Sequence, residues 1–340
     1  VKLRHLVLGA VAVLGTALIP AAMPADAGTA TCQEQEYQVK LGPAKERIAG
    51  TLCVPQGATE IQVLVPGATY NQSYWEYPVD GVSYREAMNR AGYATLNTDR
   101  LGAGRSSHPF SATLTGFAAA ESLHQVIQAL RPRFAKVYLV AHSMGSVNSR
   151  IEVAQHNDVD GLILTGISHM INYVAATPTF ASLVPVLPTD PLQRARNLDP
   201  GYVTTRPGTR ATAFHRPARV TPEALAYDEA HRDVASAGEV LTALTEVNPA
   251  TTLTHRITVP VFLVNGGRDS LFCGQQVLDK VLPIGADCHS TADLKRTEGP
   301  YYDHASRVDA YVLPGAGHSM NFAPNAADYY GAVLGWLRGL

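Results

Sequence analysis

The 340 residues are enough for one large α/β domain with an insertion, or for two ordinary domains. Hydrophobic residues make up 46% and charged residues 16%, the balance of a core-forming chain and not of a disordered one. A net charge of −2, without a basic stripe or an acidic tail, gives no footing for nucleic acid or an anionic membrane as partner.

Lys2, Arg4 and His5 precede an apolar stretch from Leu6 to Ile19, then Pro20 and small residues including Ala25-Asp26-Ala27. This three-part pattern predicts a signal peptide over residues 1–27 and a secreted, extracellular mature protein. The apolar stretch is shorter than the ~20 residues of a membrane span, so no stable anchor is expected. Four cysteines suit that compartment. Of the three possible pairings, Cys32 with Cys53 and Cys273 with Cys288 is preferred, because each closes a short loop.

Residues 36–40 and 48–54 read as two antiparallel strands around a Gly-Pro turn. Strands and helices then alternate: strand 61–65, helix 84–91, strand 93–96, helix 117–130, strand 137–140, helix 147–156 and strand 162–164. Short, continuously apolar strands between amphipathic helices predict a mostly parallel sheet covered on both faces. The rhythm stops after Gly166. Residues 168–256 are proline-rich, show no strand alternation and read as a largely helical insertion, with helices near 222–234 and 238–247. The sheet pattern resumes at 259–264, followed by a helix from about Gly274, a strand at 310–313 and a helix at 326–337. The expected organisation is a first core part (28–167), a helical cap (168–256) and a second core part (257–340).

The run Val137 to Val140 ends in Ala141-His142-Ser143-Met144-Gly145. A buried strand stopping at a serine flanked by small residues has the form of a nucleophile elbow, which exposes the hydroxyl beside a helix N-terminus. Asp269 follows the strand Val261 to Val264 and the turn Asn265-Gly266-Gly267-Arg268. His318 follows Tyr311-Val312-Leu313 and the turn Pro314-Gly315-Ala316-Gly317. On these residues the mature chain resembles the α/β-hydrolase superfamily, in its capped serine esterase and lipase-like, secreted bacterial form. The resemblance implies an α/β-hydrolase fold and a triad in the order nucleophile, acid, histidine, here Ser143, Asp269 and His318. His304 and His169 are alternative bases, and His142 is read as packing. The oxyanion hole would use the N–H groups of Met144 and Ala68, with Thr69 as the neighbouring alternative, since Pro66-Gly67 stands where members usually carry His-Gly. Ala141 and Ser146 are mild departures at the elbow. The stretch Asp99-Arg100-Leu101-Gly102-Ala103-Gly104-Arg105-Ser106 matches a structural loop of the family.

Thr69, Tyr74 and Trp75 are expected beside the substrate. Ile171, Tyr173, Phe180, Leu183, Val186 and Leu187 would either line an apolar pocket or form the cap's own core. No cofactor and no metal are expected, for want of a phosphate loop or a metal-ligand spacing. The leading expectation is a serine hydrolase acting on small to medium apolar esters or lactones through an acyl-enzyme on Ser143. An aminopeptidase-type enzyme would need a cap carboxylate for the substrate amine, for which Glu223, Asp228 and Glu229 are available. A selective acyl hydrolase or ligand-binding protein of secondary metabolism is the third reading. Oligomeric state is not legible in the sequence.

Overall fold

The computed structural model describes residues 30–187, 189–218, 220–274 and 284–340. The expected signal peptide, and most of the helix expected from Gly274, lie outside the described residues. An eight-stranded sheet runs in the order β1-β2-β4-β3-β5-β6-β10-β11. Its strands are β1 (Thr31–Leu41), β2 (Ala44–Val54), β3 (Glu60–Val65), β4 (Ala94–Thr98), β5 (Lys136–His142), β6 (Gly161–Thr165), β10 (Val261–Gly266) and β11 (Val308–Leu313). β1 pairs antiparallel with β2, and β2 with β4; every pairing from β4 through β11 is parallel. β1 is longer than its apolar pattern suggested, because its first residues gain a partner: Cys32 faces Cys53 across the ladder and is disulfide-bonded to it.

The parallel strands are buried along nearly their whole length, which explains their continuous apolar runs. Helices α1 (Tyr84–Arg90), α2 (Gly116–Leu130), α3 (Met144–His156), α7 (Thr291–Glu298) and α8 (Ala326–Leu337) cover the sheet, leaving two apolar cores. α7 was not expected from the sequence. Its polar composition hides an amphipathic stripe, and only Leu294 and Glu298 are buried.

Between β6 and β10 the chain forms a cap with α4 (Thr177–Ser182), α5 (Pro222–Ala230) and α6 (Ala237–Glu246). It is not purely helical. β7 (Leu183–Pro185), β8 (Tyr202–Thr205) and β9 (Val234–Ser236) build a three-stranded antiparallel sheet. Strands of three or four residues are too short to show alternation, and β8 pairs across loops of many residues, so only the tertiary fold specifies them. Helix 222–234 accordingly stops at Ala230; residues 231–233 form a short connection, and Val234 begins β9.

Candidate active site

Ser143 stands between β5 and α3 with φ 52° and ψ −119°, a region that side-chain-bearing residues rarely occupy. The tight turn needs a missing side chain two residues later. A Cβ on Gly145 would lie 2.5 Å from the Pro66 carbonyl oxygen and 2.6 Å from that of Val65. β3's exit loop therefore rests directly on the first turn of α3. Gly67 closes the same contact from the other side, where a Cβ would meet Ser143 Cβ at 3.0 Å.

His318, on the loop after β11, places Nε2 2.9 Å from Ser143 Oγ, while its Nδ1 lies 2.9 Å from Asp269 Oδ2. Asp269 sits on the turn after β10 and is buried. Its Oδ1 accepts the backbone N–H groups of Leu271 and Phe272 at 2.8 and 3.3 Å, so the carboxylate is fixed from both ends. The second disulfide, Cys273–Cys288, pins the chain just beyond that turn. The His318 backbone N–H donates to the Phe214 carbonyl of the cap, and the imidazole packs beside Phe214, Phe272 and His142. With Nδ1–H donated to Asp269, Nε2 is left as an acceptor facing the serine hydroxyl, the arrangement for general-base activation.

Ala68 and Met144 border the same cavity as Ser143, and among the described residues the Ala68 N–H donates to no protein acceptor. The cavity, about 90 Å³, is walled by Val147, Ile167, Phe180, Leu183, Val240 and Leu271 among others, and no charged residue lines it. Ile171, Phe180 and Leu183 face it; Tyr173 and Leu187 are exposed instead.

The loop carrying Ala68 is held by buried charges that sequence reading missed. Thr69 has φ 59°, an outlier for a β-branched residue. Its carbonyl accepts the Asp233 N–H at 2.8 Å and Arg210 Nη1 at 3.3 Å, and its hydroxyl lies 3.1 Å from the same guanidinium nitrogen. Arg210, fully buried, also donates Nε to Asp228 at 2.7 Å and lies over the rings of Tyr70 and Phe214 at 4.1 and 4.9 Å. The Tyr70 hydroxyl reaches Ser319, next to His318, at 2.7 Å. Burial alone would raise the Asp228 carboxyl, but Arg210 and His215 outweigh it and hold it below the ordinary value. A second buried arginine, Arg100, donates to the Gly67 carbonyl at 3.3 Å and pairs with Glu239 of the cap at 2.7 Å. Its neighbour Asp99 takes the N–H groups of Gln72 and Arg105, and burial pushes its carboxyl up to about 6. The 99–106 stretch is thus a scaffold tying cap to loop.

The sequence matches the Alpha/beta hydrolase family over residues 62–327. The chain belongs to that family. Among curated proteins, none matches it at the sequence level. A thermophilic esterase from Thermogutta terrifontis superposes with TM-score 0.57 at 16% identity, covering 90% of this chain and 98% of the esterase. Est1E from Butyrivibrio proteoclasticus, solved with ferulic acid, gives 0.51 at 16% identity over 89% and 98%. A bromoperoxidase from Bacillus anthracis gives 0.57 at 16% identity over 89% and 100%. At such identities the likeness is one of fold, and an α/β hydrolase's substrate has to be argued from its own site.

In this α/β hydrolase three groups of expected residues are placed differently from the sequence reading. Tyr74 and Trp75 do not border the cavity: both are fully buried in the second core, where Tyr74 stacks on His142 at 4.4 Å. Aromatic residues just after a loop look alike in sequence whether they face a ligand or a core. Thr69 is likewise enclosed, spent on Arg210 rather than on a ligand. Asp228 is bound by Arg210 and His215, and Glu229 accepts the N–H groups of Gly208 and Arg210, so neither is free for a substrate amine. Glu223 is exposed in the first turn of α5. His169 is tied to Glu298 at 2.7 Å and Thr254 at 2.9 Å, and exposed His304 to the His255 carbonyl; neither bonds Ser143. Burial, reinforced by the neighbouring His318, holds His142 well below the usual imidazole range, a neutral packing group.

Proposed function

We propose that this hydrolase is a serine carboxylic-ester hydrolase acting on small apolar acyl esters or lactones. The observation that carries the reading is a continuous hydrogen-bonded chain, Asp269–His318–Ser143, whose hydroxyl end opens into a cavity bordered by Ala68 and Met144 and lacking charge. His318 takes the Ser143 proton as Oγ attacks the acyl carbon, and Asp269 stabilises the resulting imidazolium. The N–H groups of Met144 and Ala68 receive the tetrahedral oxyanion, each donor worth about 10²–10³ in rate. His318 then protonates the leaving alkoxide, and water activated by the same imidazole releases the acid.

The pocket's apolar walls favour this reading over an aminopeptidase, whose substrate amine would find no carboxylate there. Its volume is below the ~150 Å³ of an apolar cavity that accommodates benzene, which favours short acyl chains. Two disulfides, using all four cysteines, suit secretion to an oxidising compartment. Among the described residues no helix is long and apolar enough to cross a membrane.

The test is hydrolysis of p-nitrophenyl esters of two to sixteen carbons by the protein and its Ser143→Ala variant. Expected is an optimum among the shortest acyl chains and loss of at least about 10⁴-fold in kcat in the variant. Failure of the wild type to react with a fluorophosphonate probe would refute the assignment of Ser143 as nucleophile.

A further inference from the structure

On the far side of α3 from Ser143, two helices bring together side chains that the reaction does not use. His124 of α2, Glu152 of α3 and Asp158, two residues beyond the end of α3, each offer a ligand atom, and these atoms lie within 4.8 Å of one another. His124 Nδ1 is 2.8 Å from Asp158 Oδ2 and 3.6 Å from Glu152 Oε1. A zinc ion bound at about 2.0–2.2 Å to two atoms at a tetrahedral angle would set them roughly 3.4 Å apart, a spacing reached here by small side-chain shifts.

The decisive member is Glu152. Its side chain has no exposed surface, and among the described residues neither carboxylate oxygen has a hydrogen-bond partner. A buried acid without a donor is costly to keep unless a cation or a proton satisfies it. The nearby arginine does not fill that role: Arg131 is engaged with the Asp158 carbonyl and the Asp160 carboxylate. Gln128 fixes Asp158 by donating to its Oδ2 at 2.6 Å, and the His156 ring stacks on that of His124 at 3.7 Å, so two of the donors are already oriented. His124 and Asp158 remain partly exposed, which leaves a path for an ion and a position for water.

We propose that His124, Glu152 and Asp158 form a divalent-cation site of the zinc class, with a solvent ligand completing the coordination. One imidazole and two carboxylates suit zinc and its neighbours better than calcium, which takes six to eight oxygens. Glu152 lies nine residues past Ser143, about 13 Å along the helix, so the ion does not touch the acyl group. Its role is structural: it clamps α2 to the end of the helix whose start carries the nucleophile.

The experiment uses the full chain stripped with EDTA and desalted, titrated with Zn²⁺ by calorimetry and with Co²⁺ by visible absorption. Expected are uptake of one ion with at least micromolar affinity, a four-coordinate Co²⁺ spectrum, and a rise in Tm on zinc addition. Glu152→Gln, His124→Asn and Asp158→Asn should each weaken binding at least tenfold and remove the Tm response. p-Nitrophenyl ester hydrolysis by these variants should stay within twofold, which separates this test from that of Ser143. If Glu152→Gln does not fold, the two partly exposed positions decide. No uptake by the stripped protein overturns the proposal. So does uptake that the variants leave unchanged, which would place the ion on exposed pairs such as His289–Asp287.

Discussion

Arg210→Met removes the charge that organises the loop beside the serine while keeping an apolar chain against Tyr70 and Phe214. The wild-type guanidinium has one carboxylate, three polar oxygens on Thr69 and Thr205, and two aromatic faces as partners. Removing one member of a buried ion pair typically costs about 3–5 kcal/mol, because the other charge is stranded. Here Asp228 keeps His215 at 2.8 Å and the Tyr70 hydroxyl at 3.3 Å, so the lower end, about 3 kcal/mol, is expected. That is a large part of the roughly 5–15 kcal/mol of a folded domain, yet leaves the variant folded. Combining it with Asp228→Asn removes the stranded charge, and the double variant should recover roughly 1–2 kcal/mol relative to the sum of the singles. Urea unfolding followed by the fluorescence of the buried tryptophans, Trp75 and Trp336, measures all four proteins. The sign with pH follows from the Asp228 carboxyl being held below its unfolded value. Its contribution is complete above the ordinary carboxylate pKa of about 3.9 and is lost as pH falls through the folded pKa. The gap between wild type and Arg210→Met should thus be widest above pH ~5 and narrow below about pH 4. Catalysis is affected too: the Thr69 carbonyl loses a holder, and a displacement of the neighbouring Ala68 by about 1 Å costs about 10² in kcat/KM. A single variant within about 1 kcal/mol of wild type, or singles that simply add, would refute the view that this pair organises the loop.

Gly145→Ala drives a methyl group into the Val65 and Pro66 carbonyls, so either the elbow or the Ala68 loop must shift. Esterase kcat should drop about 10²–10³ with fluorophosphonate labelling slowed in parallel; unchanged kcat would show that the contact is slack. Val240→Phe adds bulk to a cavity of about 90 Å³, so the acyl optimum should move to shorter chains, read as kcat/KM across the p-nitrophenyl series. Replacing Cys273 and Cys288 by Ala opens a loop of 15 residues in sequence separation, with an expected loss of roughly 3 kcal/mol by the chain-entropy account. Scanning calorimetry should show a lower Tm, and activity should fall because the chain just past Asp269 loses its anchor.

How the fold was legible in the sequence differs from element to element. The serine, acid and histidine loops each follow a buried parallel strand and turn on small residues, so strand and turn chemistry are both local and readable. The cysteine pairs were readable for a similar reason, since each spans only 21 or 15 positions. Tyr74 and Trp75 were misplaced because burial in a core and exposure to a ligand select the same aromatic residues. The cap's β8 could not be seen because it is only four residues long and long connections separate it from both partner strands.

The sequence by itself determined the alternation along the chain of the core's strands with most of its helices, and the candidate nucleophile, acid and base, because hydrophobic period and turn residues act over a few positions. The tertiary structure alone decided what holds them. Arg210 meets Thr69 across 141 positions and Arg100 meets Glu239 across 139. It also decided the volume of the cavity and the meeting of His124, Glu152 and Asp158. A buried charge finds its partner through desolvation, which acts on whatever the packed fold brings within a few ångströms, and that pairing has no period or spacing along the chain.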